Sequence, residues 1–202
     1  MVDPKIWITA HAGCMKTKDD SLESVIAGIA AGADIIEIDL RFTEENIPVL
    51  SHDEINPEQA KDLIQLEEVL VVLKGYPNIM LNIDLKEIKG IRFMDQVLQK
   101  TDMKERVFIT GLEPDLIEAI NLENMDISYF LDIPYLMNYT PDMMRLNNQD
   151  YLSELVTKVN QLKAIGINLY YEYLTHELVD IFHEAGKVVC VWTVDDEAAI
   201  KK

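Results

Sequence analysis

The chain has 202 residues, of which 49% are hydrophobic and 27% charged, with a net charge of −18. That length favours a single domain over residues 1–202 with one core of useful size. The charge argues against a nucleic-acid-binding surface, which needs clustered Lys and Arg. Apolar runs such as Leu70–Leu73 are far too short for a transmembrane segment, and Cys14 and Cys190 offer neither a disulfide framework nor a structural zinc set. The opening Met-Val-Asp-Pro-Lys-Ile-Trp shows no signal peptide. A cytoplasmic protein is expected, or a secreted or periplasmic one if a signal has been removed.

Taken in chain order, apolar β-branched runs predict strands at Ile6–Ala10, Ala33–Leu40, Ile79–Leu85, Val107–Thr110, Ile127–Ile133, Ile167–Tyr171 and Val188–Val194. Between them, helical patterns fall at Leu22–Ala31, Leu66–Leu73, Phe93–Gln99, Pro114–Asn121, Tyr151–Ile165 and Glu177–Glu184, with Gly32, Gly75, Gly166 and Gly186 as stops. Strand-helix alternation implies parallel strands joined by helical crossovers, hence an α/β fold. A doubly wound sheet and a TIM (β/α)8-type barrel satisfy it equally. For a barrel the chain is short, and the residues after Val194 hold no further strand. Either the last strand and helix are lacking, or the short Ile47–Ser51 run supplies the eighth strand. A second subunit could cover the open edges of a seven-stranded barrel, making a homo-oligomer. The segments Glu54–Lys61 and Leu136–Asp150 read as flexible loops.

Polar residues gather on the strands. His11 ends the first strand, where a barrel would place its active site; a satisfied loop histidine is the plain alternative. In the second strand a period of two sends Glu37 and Asp39 to one face and Ile36 and Ile38 to the other. Two adjacent carboxylates repel unless a cation relieves them, and a hard divalent ion with oxygen ligands would do so. A solvated strand face is the alternative. The third long strand adds Asn82, Asp84 and Lys86 on one face. Lys86 reads either as an ion-pair partner of Asp84 or Glu37, or as a cation for a phosphate group. The run Thr43–Asp53 returns a second histidine, His52, and with His11 it offers an acid and base pair, since imidazole titrates near neutrality. Met143 and Met144 read as core fillers, and His176 and His183 as surface or packing residues.

Five motifs in order then become specific: His11–Gly13, Gly32–Asp39, Thr43–Asp53, Asn82–Lys86 and Val191–Val194. Their order and spacing resemble the glycerophosphodiester phosphodiesterase family over nearly the whole chain. The resemblance implies a TIM-barrel fold and metal-dependent hydrolysis of a small-molecule glycerophosphodiester, such as glycerophosphocholine, to glycerol phosphate and an alcohol. By position it implies Glu37, Asp39 and Asp84 as ligands to magnesium or calcium and His11 and His52 as the catalytic pair. It also implies Lys86 as a phosphate contact and Trp192 as a residue lining the glycerol pocket. The family's arginine after the first histidine is Ala12 here, and Arg41, on the same face as Asp39, is the candidate to replace it in binding substrate. The family's Glu-Asn-Thr appears as Asp19-Asp20-Ser21. Loss of the arginine also motivates a second expectation, a weakened or inactive barrel that binds phosphorylated metabolites with a metal. Spider-venom-type phospholipase D enzymes share the acid spacing but have a cysteine-bearing loop without counterpart here.

Overall fold

The computed structural model describes residues 6–112, 117, 120, 125–133 and 148–196. These residues group into two compact units, one running to Ile109 and the other taking up the chain from Ser128.

In the first unit, β1 (Thr9–Ala10), β2 (Ile35–Phe42), β4 (Met80–Leu85) and β5 (Val107–Thr110) are hydrogen-bonded neighbours in that order. The strand β1 pairs parallel to β2, and β2 pairs parallel to β4 with Glu37 opposite Asn82 and Asp39 opposite Asp84. Both faces of β2 are buried, as expected of a parallel strand covered on its two sides. Ile36, Ile38, Leu81, Ile83 and Leu85 are each at most 2% exposed. Each side chain of that kind contributes roughly 1.5–3 kcal/mol by leaving water, so the apolar face anchors the strands and the acidic face must follow.

The Ile47–Ser51 run is a strand, β3 (Pro48–Leu50), but it pairs antiparallel to β2, with Leu40 opposite Leu50 and Phe42 opposite Pro48. It is therefore a hairpin return and does not supply the missing parallel strand. The reason is the tight turn: Asn46 takes a left-handed φ of 63°, and its N–H donates to the Thr43 carbonyl at 2.9 Å. Asn tolerates that conformation, which favours hairpins. The Glu54–Lys61 stretch runs through turns into a single 3-10 turn at Ala60–Asp62.

Among the described residues, three helices accompany these strands. The helix α1 (Leu22–Ala30) starts where Ser21 Oγ accepts the Ser24 N–H at 3.2 Å, and Glu23 lies in its first turn, both favourable at the positive end of a helix. The helix α2 (Leu66–Lys74) has Glu68 reaching back to the Gln65 N–H at 2.9 Å, half of a capping box. The helix α3 (Ile91–Thr101) buries Met94 and Leu98 and ends at Asp102, which adopts a left-handed φ of 56°. An aspartate thus closes this helix, a role that the sequence pattern assigns to glycines elsewhere in the chain.

In the second unit, β6 (Ser128–Asp132), β7 (Gly166–Tyr170) and β8 (Val188–Trp192) are parallel neighbours in that order. The helix α4 (Gln149–Gln161) begins where Asn148 Oδ1 accepts the Tyr151 N–H, and α5 (His176–Glu184) where Thr175 Oγ1 accepts the Leu178 N–H. His176 and His183 are exposed on α5, as read from the sequence. Most of the Pro114–Asn121 helix and of the Leu136–Asp150 loop, and Met143 and Met144, lie outside the described residues.

Gly166 is not a helix stop but the first residue of β7, opposite Val188. A Cβ there would lie 1.9 Å from the Val188 carbonyl oxygen, a backbone atom that cannot swing aside. Gly166→Ala is expected to destabilise the protein toward the upper end of the ~1–3 kcal/mol typical of overpacking. A urea melt would read the loss, and an unchanged midpoint would show that the β7–β8 spacing is softer than this contact implies.

Candidate functional site

Alternation along β2 and β4 brings Glu37, Asp39 and Asp84 together. One oxygen of each lies within 4.8 Å of the others. Glu37 is 6% and Asp39 3% exposed, so two charges sit where water solvates them poorly. Lys86 follows β4, and its Nζ donates to Asp39 Oδ1 and Asp84 Oδ2, both at 2.7 Å. Of the two carboxylates considered for Lys86, the structure gives it Asp84; in place of Glu37 it takes Asp39. Glu37 Oε2 instead accepts the Ala12 N–H at 2.8 Å.

Two oxygens of the cluster have no donor among the described residues. Glu37 Oε1 and Asp84 Oδ1 are buried and unpartnered, and an unmet buried carboxylate oxygen is costly. With all three acids ionised, three negative charges face one ammonium among the described residues, leaving an excess of two. Burial pushes Glu37 up to about 7, opposed by nearby His11 and the Ala12 bond and reinforced by Asp39 and Asp84. Burial would lower Lys86, but the Asp84 charge and the bonds to both aspartates raise it well above the ordinary lysine value. A hard divalent cation answers the uncompensated charge and the orphaned oxygens together, so the donor set fits the metal that the sequence implies.

His11 lies just past β1, half exposed, with Nδ1 3.9 Å from Glu37 Oε2. Nδ1 is also 3.1 Å from the Ala12 carbonyl oxygen. A carbonyl only accepts, so Nδ1 carries the hydrogen and Nε2 is left for other work. Burial alone would lower the pKa of His11, yet the Glu37 charge, the Ala12 bond and the two aspartates raise it.

His52 follows β3 and is exposed, with Nδ1 donating to Asp53 Oδ1 at 2.9 Å. Its neighbour Ser51 donates its N–H to the Asp39 carbonyl at 3.2 Å, which ties this loop to the acid-bearing strand. The backbone of His52 is held twice: its N–H donates to Asp20 Oδ2 at 3.0 Å, and its carbonyl accepts from Arg41 Nε at 3.1 Å. In the sequence Asp20 stands out only as part of Asp19-Asp20-Ser21, at the place of the Glu-Asn-Thr of the family that the chain resembles. Its contact spans 32 positions, and nothing local signals it. Beside His52 opens a cavity of about 310 Å³, lined by Asp19, Asp20, Asp53 and Glu54 among others.

Trp192 belongs to the second unit, at the end of β8. It is 41% exposed and meets Tyr170 edge-on at 5.6 Å between ring centroids. Cys190, two residues earlier, is half-buried and free. Burial pushes its thiol up to about 12, and the Asp132 charge adds to the effect. Only the thiolate reacts, so alkylation of Cys190 by iodoacetamide near pH 7.5 is expected to run about 10³-fold slower than that of a free thiol. Peptide mass spectrometry over a time course measures this directly, and labelling at the rate of a solvent-exposed cysteine would contradict it.

The sequence model of the glycerophosphoryl diester phosphodiesterase family matches residues 11–92, the segment that holds both histidines, all three carboxylates and Lys86. No curated protein matches the chain in sequence. Among solved structures, it is similar to a glycerophosphodiester phosphodiesterase from Parabacteroides distasonis, with TM-score 0.74 and 21% identity over 96% of this chain and 87% of the other. It is similar to one from Agrobacterium tumefaciens, with TM-score 0.74 and 14% identity over 97% and 89% of the two chains. A third likeness is to an Oleispira antarctica phosphodiesterase solved with the product sn-glycerol-3-phosphate, with TM-score 0.72 and 17% identity over 97% and 88%. Residues 11–92 thus carry the motif region of the glycerophosphoryl diester phosphodiesterase family, set in the α/β barrel-type fold that these phosphodiesterases share.

Proposed function

We propose that this protein is a metal-dependent phosphodiesterase that hydrolyses glycerophosphodiesters, glycerophosphocholine among them, to glycerol phosphate and an alcohol. The observation that carries this reading is the trio of buried Glu37 and Asp39 with half-buried Asp84, two of whose oxygens are unpartnered among the described residues and face an excess of negative charge, with His11 alongside. Supporting it are the match over residues 11–92 and the product seen in the Oleispira antarctica relative.

Glu37, Asp39 and Asp84 would hold the ion, magnesium or calcium by the hardness of the oxygen donors. When bound, it polarises the phosphoryl oxygens and offsets the charge that develops on them. The protein's own groups do the rest. One imidazole takes the proton of the attacking hydroxyl, either water or the glycerol 2-hydroxyl, as its oxygen bonds to phosphorus. The other gives a proton to the alkoxide as the bond between phosphorus and the leaving oxygen breaks. Where the glycerol hydroxyl attacks, the cyclic phosphate is opened in a second step by water, with the proton roles exchanged. Lys86, an ammonium beside the carboxylates, is the candidate cation for a phosphate oxygen.

The test is direct: purified protein with glycerophosphocholine and magnesium, calcium or manganese, with release of glycerol phosphate followed with and without EDTA. Chelator-sensitive product supports the proposal. Binding of glycerol phosphate without turnover would favour the binding-protein alternative, which the alanine at position 12 motivates. Neither binding nor turnover would remove both.

A further inference from the structure

His52 sits in an exposed loop, where a side chain ordinarily samples many positions, and an acid-base group must be held close to its working geometry. The loop is not left free. The peptide N–H of His52 donates to Asp20 Oδ2 at 3.0 Å, its carbonyl accepts from Arg41 Nε at 3.1 Å, and its ring is tethered by Asp53. The two backbone holds come from different elements. Asp20 stands one residue before the Ser21 cap of α1, and Arg41 is on β2, two residues after Asp39.

Asp20 itself is held at a cost. Its φ is 52°, a left-handed conformation that an L-residue adopts with some strain and that Asp and Asn tolerate best. Its Oδ1 is buried without a partner among the described residues. Neither feature is needed to start α1, because Ser21 caps that helix. Aspartate is not placed here for helix stability; its one recorded side-chain bond is to His52. Arg41 is similarly committed. Its Nε is occupied by the His52 carbonyl, which leaves the terminal N–H groups of the guanidinium for other contacts.

We propose that Asp20 and Arg41 are positioning residues that clamp the peptide of His52 from both sides, fixing where its imidazole meets the substrate. The clamp rests on the phosphodiesterase reading for its purpose but not for its existence, and the two can fail separately.

The experiment compares wild-type protein with Asp20→Ala, Asp20→Asn, Arg41→Ala and His52→Ala, and with each alanine clamp variant combined with His52→Ala. Asp20→Ala and Arg41→Ala are each expected to lower kcat about 10- to 100-fold, the scale of a misplaced catalytic group, with KM little changed. Asp20→Asn keeps a carbonyl oxygen for the His52 N–H and should restore most of the rate. Added to His52→Ala, neither clamp variant should cost anything further, because the group they act through is already gone. An equal loss in the His52→Ala background, a raised KM alone, or failure of asparagine to rescue would each overturn the proposal. Amide resonances and hydrogen exchange of His52 supply a second readout that needs no activity. The His52 amide should shift and exchange faster in Asp20→Ala but not in Asp20→Asn. If wild-type protein cleaves no diester while that pattern holds, the function fails and the clamp stands. An unmoved amide removes the clamp whatever the activity.

Discussion

Replacing either His11 or His52 with alanine is expected to lower kcat for glycerophosphocholine by about 10²- to 10⁴-fold, the usual contribution of a positioned acid or base. Each ring is prepared in the same way. His11 Nδ1 is spent on the Ala12 carbonyl and His52 Nδ1 on the Asp53 carboxylate, so in each the other ring nitrogen remains for proton transfer. Because the two act on opposite ends of one displacement, removing both should cost little more than removing the worse of the two. Steady-state kinetics on the three variants measures this. Full activity in either single variant would exclude that histidine from the proton path, and strictly multiplicative losses would argue that the two do not act as a pair.

The second large effect is expected at Lys86. Its ammonium is the one recorded ion-pair partner of Asp39 and Asp84, both on the acidic face of β2 and β4. Lys86→Met keeps much of the stem and removes the charge, leaving the three carboxylates without that ammonium. Breaking a buried pair from one side typically costs about 3–5 kcal/mol, and that loss is the expectation for ion-free protein in denaturant melts. Added magnesium or calcium should recover more stability in this variant than in wild type, since a fuller negative charge attracts the ion more strongly. Kinetically, loss of the proposed phosphate contact should accompany the change. A variant as stable as wild type without the ion would show that the three acids are not ionised together.

The sequence made β2 and β4 legible because one face of each is wholly apolar and the other carries Glu37 and Asp39, or Asn82 and Asp84. A period of two needs only local information. The fate of Ile47–Ser51 was harder. Its strand character was visible, but its direction depended on Asn46 entering the left-handed region, which the sequence permits without requiring. Lys86 was placed on the acidic side, yet its choice of Asp39 over Glu37 reflects the cross-strand register of Asp39 with Asp84, which no single strand reveals. Most hidden was the support of His52. The Asp20 contact joins a turn before α1 to a loop after β3, and only the folded chain brings them together.

The parallel register of β2 and β4 has a consequence for how this protein can change. A slip of one residue between the two strands would send Glu37 and Asp39 into the packed layer and turn Ile36 and Ile38 toward the carboxylate side. Misregistered chains would therefore bury naked charge and expose their core at once, and would be rejected by folding itself. Single-residue insertions or deletions are consequently admissible in the Thr43–Ile47 turn or the loop from Glu54 onward, and ruinous inside Ile35–Phe42. In this strand, proofreading of the fold and proofreading of the acidic face are one event.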